Sequence, residues 1–80
     1  MAVTEGRILD ALADGVARYR VEGERGADWT WVQLTNDERL AFDLFLVRTR
    51  DPLAWQAGSP ESRFRARVKA MATNTVAQMP

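Results

Sequence analysis

The stretch VARYRVEGERGADWTWVQL, residues 16–34, decides the fold class because it can be read at two incompatible periods. Ala17, Tyr19 and Val21 alternate with Arg18, Arg20 and Glu22, as side chains do on the two faces of a strand. A polar, glycine-bearing segment runs from Gly23 to Asp28, and WTWVQL behind it is rich in β-formers. Two such runs joined by a glycine-bearing loop predict a β-hairpin. The competing reading is a helix that continues from Leu12 through Val16 to Tyr19, since Gly15 is only a moderate breaker.

Upstream, Ile8, Leu9 and Leu12 recur at helical spacing between Thr4 and Ala13, and Asp14-Gly15 supplies a stop signal. Downstream, TNDERLAFDLFLVRTR carries a full helix grammar. Thr35 and Glu38 stand at capping-box spacing, acids occupy the first turn, and Arg48 and Arg50 sit at the far end, where the helix dipole favours cations. Asp51-Pro52 closes that helix and opens a short turn bearing Leu53 and Trp55. Ser59-Pro60-Glu61 then starts another helix. The expected architecture is α+β, in the order helix, β-hairpin, helix, short turn, helix, within a single domain spanning residues 1–80, the alternative being an all-α bundle. Leu40, Leu44, Phe45, Phe64 and Val68 are the expected core.

RFRARVKA, residues 63–70, also alternates charged with apolar residues, but the Ser-Pro-Glu start carries a helix straight through it. At 100° per residue, Phe64, Val68, Met71 and Thr75 fall within about 60° of one another. Arg63 and Arg67 border that stripe on one side, Arg65 and Lys69 on the other. A basic ribbon thereby becomes an amphipathic helix with cationic rims.

Composition excludes more than it proposes. With 80 residues the chain makes one small domain of marginal core. It has no cysteine and no histidine, which removes disulfides, Cys/His zinc sites and the commonest general base. Eleven basic and eleven acidic residues cancel, giving no overall attraction to nucleic acid or membrane. No apolar run has membrane-spanning length and the start MAVTEGRILDAL lacks a signal-peptide layout, so a cytoplasmic location is expected.

Carboxylate pairs are the remaining route to catalysis or metal binding: Asp10 with Asp14, Glu22 with Glu24, Asp37 with Glu38. Capping accounts for the last pair, and the others lie among charged neighbours. Ser59 and Ser62 read as cap and first-turn residues with no histidine to activate them. Neither an enzyme, a metal site nor a cofactor site is expected.

The apolar excess says more. From Leu40 to Val47 only Asp43 interrupts the apolar residues. Leu40, Leu44 and Val47 form one face while Phe42 and Leu46 point well away from it, so the helix must be packed on two sides or covered by another chain. Trp29, Trp31, Phe42 and Leu46, with the rim Arg63, Arg65, Arg67 and Lys69, are the candidate partner-binding residues. A two-fold homodimer through Phe42 and Leu46, or through the tryptophan strand, is one expected use.

Ten arginines against one lysine point to a GC-rich bacterial or phage genome. The stretch ERGADWTWVQLTNDERLAFDLFLVRTRDPLAW, in a small domain lacking catalytic residues, resembles the build of small phage inhibitors of the anti-CRISPR type. That resemblance covers size and build, carries no motif, and transfers no residue roles. It implies a non-enzymatic inhibitor that blocks a host protein or nucleoprotein complex, the CRISPR-Cas surveillance machinery, by steric occupancy. The alternative function is a small DNA-binding accessory or regulatory protein using the basic C-terminal helix; neutral charge argues against direct nucleic-acid contact.

Overall fold

The computed structural model describes residues 3–77, with side chains described as far as residue 74. Four helices and one 3-10 turn follow in order: α1 (Glu5–Glu22), α2 (Glu24–Gln33), α3 (Asn36–Arg48), the turn Pro52–Trp55, and α4 (Pro60–Ala77). No strand occurs among the described residues, so the architecture is all-α and the expected hairpin over residues 16–34 is corrected.

The physical reason lies in what each period can bury. Ala27, Thr30, Trp31 and Leu34 are all buried, at helical spacing. So are Ile8, Ala11, Leu12 and Gly15, and Gly15 therefore faces the core instead of ending the helix. Ala17, Arg18, Arg20, Val21 and Glu22, by contrast, are exposed, so the alternation that suggested a strand has no buried face to enforce it. β-Propensity spans about 1 kcal/mol per residue. Burying Trp31 and Leu34 on a helical face yields about 1.5–3 kcal/mol each and wins.

Gly23 makes the break between α1 and α2. Its φ of 68° suits glycine, and its N–H closes α1 on the Tyr19 carbonyl at 2.7 Å. The chain then doubles back: Thr30 of α2 hydrogen-bonds Asp14 of α1, and Gly26 lies against Arg18, which sets the two helices antiparallel. A Cβ on Gly26 would overlap the Arg18 carbonyl, so glycine permits the close approach. The polar stretch read as a hairpin loop is thus a helical hairpin corner.

The start of α1 uses Thr4, whose hydroxyl accepts from the Arg7 N–H. Both halves of the α3 capping box form: Glu38 N–H to the Thr35 hydroxyl at 3.1 Å, and Thr35 N–H to the Glu38 carboxylate at 2.8 Å. α3 ends where Arg50 adopts a left-handed conformation at φ 55° and the Asp51 N–H returns to the Leu46 carbonyl. α4 starts where its sequence places it, with Ser59 accepting from the Ser62 N–H. Thr75 belongs to the α4 stripe by spacing, but its side chain lies outside the described residues.

The core is centred on three rings, one each from α2, α3 and α4. Trp31 and Phe42 lie 6.2 Å apart, Trp31 and Phe64 5.4 Å, Phe42 and Phe64 5.2 Å, in edge-on or tilted geometry. Ile8, Leu12, Leu46 and Val68 complete it. Phe64 and Val68 are buried as expected and Phe45 is half-buried against the core, but α3 is turned the other way round from the expectation. Phe42 and Leu46 are 0% exposed, whereas Leu40 and Leu44 are 61% and 52% exposed. Both faces of α3 are apolar, and the one carrying the ring that contacts two other rings takes the interior.

That reversal is measurable by urea unfolding at low micromolar concentration. Phe42→Ala is expected to lose about 3–5 kcal/mol, while Leu40→Ala stays within about 0.5 kcal/mol. The opposite order would return the core to the Leu40 and Leu44 face.

Candidate functional site

Three of the four cations on the α4 rim pair with carboxylates of the fold. Arg63 reaches Asp43 of α3 with both Nε and Nη2 at 3.3 Å, and its Nη1 donates to the Gly58 carbonyl at 2.8 Å. Arg65 turns the other way, to Asp28 of α2 at 2.9 Å. Arg67 meets Asp51, just beyond α3, at 2.5 Å. The two-sided split read on the helical wheel is therefore real, but its purpose is to clamp α4 to α2 and α3. Arg63, Arg65 and Arg67, expected as partner-facing cations, are each partly exposed and each paired with a carboxylate of the fold. Lys69 is exposed and takes part in none of the ion pairs among the described residues.

Two carboxylates of the fold are shifted, one of them in these contacts. Burial pushes Asp51 up, but the Leu53 N–H and the Arg67 guanidinium outweigh it, and the carboxyl titrates below the ordinary aspartate range. Glu38 is held low first by the Thr35 backbone N–H, against burial, with Arg7 adding to it. Asp28 beside Arg65 tightens that guanidinium's hold on its proton against a smaller desolvation penalty.

In two of the candidate carboxylate pairs one member is engaged within the fold. Asp14 accepts from Arg18 and Thr30; Glu38 serves the capping box and Arg7. Ser59 and Ser62 hydroxyls are engaged in the first turn of α4. Among the described residues no three Asp or Glu side chains cluster as a metal site would require. No described helix is long and apolar enough to cross a membrane.

Of the expected partner-binding residues, Trp31, Phe42 and Leu46 are buried and therefore belong to the core, a second correction. Trp31 is further enclosed by Arg39, whose guanidinium lies 5.1 Å over its ring and donates to its carbonyl at 3.2 Å. Trp29 remains. Two positions before the buried ring, it lies on the opposite side of α2 and is 51% exposed, and Val32 one turn on is 55% exposed. Together with Arg25 they form one stripe at helical spacing, and a shallow groove beside it is lined by Arg18 and Glu22 of α1 and by Asp28. Arg25 takes part in none of the ion pairs among the described residues.

Sequence reading missed a second surface. Leu40, Leu44 and Val47 form an exposed stripe on the outer face of α3, beside a groove lined by Val3, Ala41 and Phe45, with Asp37 at one end and Arg48 at the other. The signal was present in the two apolar faces of that helix; which face was interior was not. No protein family, curated protein or solved structure matches this chain.

The Asp51–Arg67 contact predicts a pH dependence. A carboxyl whose folded pKa is depressed adds stability above its unfolded value and loses it as pH falls through the folded one. Asp51→Asn should cost on the order of 1–2 kcal/mol at pH 7, and should flatten the fall in stability below about pH 4. Thermal unfolding of both proteins across pH 2–7 measures it; parallel acid limbs would contradict the assignment.

Proposed function

We propose that this chain is a non-enzymatic protein-binding domain that inhibits by occupancy, a bacterial RNA-guided surveillance complex being its target class, and that Arg25, Trp29 and Val32 form its contact surface. The observation that carries the reading is the half-exposed Trp29 on a rigid helix, beside Val32 and flanked by arginines. Tryptophan and arginine dominate the energetics of protein interfaces because one large ring or planar cation displaces much water at little conformational cost. Trp29 sits on α2, which is fixed to α1 at Gly26 and Asp14 and to α4 through Asp28, so it is presented without a folding cost at binding. The target class follows from the resemblance in size and build to small phage inhibitors.

Use of α4 as a DNA reader finds little support. Arg63, Arg65 and Arg67 already face carboxylates, and redirecting them to phosphates would first break the contacts that hold the helix down.

Binding to a purified surveillance complex at about 150 mM salt tests the reading, with target-DNA engagement by the complex as the functional readout. Trp29→Ala should weaken binding about 30-fold or more, the equivalent of a hot-spot loss of about 2 kcal/mol, with an unchanged helical circular dichroism spectrum. Trp31→Ala is unsuitable as a companion because it opens the core. Absence of wild-type binding, or binding that persists undiminished in Trp29→Ala, would overturn the proposal, as would capture of free nucleic acid alone.

A further inference from the structure

The outer face of α3 is a self-complementary interaction surface, and we infer that its occupant is a second copy of this chain. At 100° per residue Leu40, Leu44 and Val47 fall within about 60° of one another. All three are about half exposed or more, at 61%, 52% and 51%. They lie opposite Phe42 and Leu46, so the core makes no use of them. An apolar stripe of this length along one helix is what helix–helix association buries.

Charge selects the partner. Asp37 and Arg48 border the same groove as Leu40 and Leu44, one at each end. Neither takes part in an ion pair among the described residues, whereas Asp43, on the far edge of the stripe, is taken by Arg63. Asp37 and Arg48 are 11 residues apart, roughly 16 Å along the helix. An antiparallel pair of α3 helices related by a two-fold axis near the level of Phe42 sets Leu40 of each copy against Leu44 of the other. The same operation brings Asp37 of each copy to Arg48 of the other, twice. Antiparallel pairing also sets the two helix dipoles in opposite senses. A foreign helix would need this charge order supplied independently; a second copy carries it already.

The face is one short helix long, at the small end of specific interfaces, so association in the micromolar range is expected. This inference does not rest on the Trp29 surface, which lies on α2.

Sedimentation equilibrium over about 5–500 µM tests it, each variant being checked for helical circular dichroism. Wild type should move from monomer to dimer across that range, and Leu44→Glu should remain monomeric. Asp37→Arg and Arg48→Asp should each weaken self-association by at least about tenfold. An equimolar mixture of those two variants should recover it, because every cross-pair is then of opposite charge. A wild type that stays monomeric to 500 µM overturns the inference. So does a dimer that survives Leu44→Glu, or charge variants whose mixture associates no better than either alone.

Discussion

The fold hangs on the contact among Trp31, Phe42 and Phe64. Each ring comes from a different helix, and centroid separations of 5.2–6.2 Å leave no room for an intervening side chain. α1 joins them from the fourth side, where a Cβ on Gly15 would stand 2.8 Å from Val68 and 3.3 Å from Phe64. A chain of this size has little core to spend. Once three rings must meet at one point, the faces of α2, α3 and α4 are set, and with them which apolar residues are left outside. The exposure of Leu40, Leu44 and Trp29 is a consequence of that geometry, because each lies across its helix from a ring or its neighbours.

Around this centre the charges act as fasteners. Successive odd positions of α4 send Arg63 to α3, Arg65 to α2 and Arg67 to the segment after α3. Exposed ion pairs contribute little individually. These are partly shielded, and their alternation left and right of the Phe64–Val68 stripe opposes rolling of α4 in either direction. Asp51 is oriented for its part by accepting the Leu53 N–H, so the closure of α3 and the anchoring of α4 depend on one carboxylate.

How legible this was depended on whether a signal was local. The capping box at Thr35 and Glu38, the Asp51-Pro52 closure and the Ser59-Pro60 start all involve residues within four positions of one another, and each appears where the sequence puts it. The wheel of α4 was equally readable, including the division of its arginines. Residues 16–34 failed because their alternation covers a mostly exposed segment in which only Val16 and Tyr19 touch the core, at helical spacing, while the decisive spacing Ala27, Thr30, Trp31, Leu34 contains a threonine that a hydrophobic count passes over. Thr30 is buried because its hydroxyl is bonded to Asp14, sixteen residues away. α3 failed differently: with two apolar faces, periodicity cannot choose the interior one, and the choice falls to partners on α2 and α4. The candidate site inherited both errors. Trp29 survives as a surface residue; Trp31, Phe42 and Leu46 do not.

The two bare stripes are separated by the length of α1. Arg18 and Glu22, beside the Trp29 stripe, belong to its C-terminal turns, while Val3 and Glu5, beside the α3 stripe, lie at its start. From Glu5 to Arg18 the helix advances 13 residues, roughly 20 Å. A copy docked along α3 therefore leaves the Arg25–Trp29–Val32 surface uncovered, and the two-fold axis generates a second such surface on the partner. A dimer built this way would present two identical contact surfaces held rigidly by α1 in each copy. Two weak engagements on one multi-subunit target then become effectively intramolecular, and their joint affinity exceeds either alone by orders of magnitude where the spacing matches. Self-association through α3, as proposed, would thus multiply the Arg25–Trp29–Val32 surface, which by itself presents a single exposed ring.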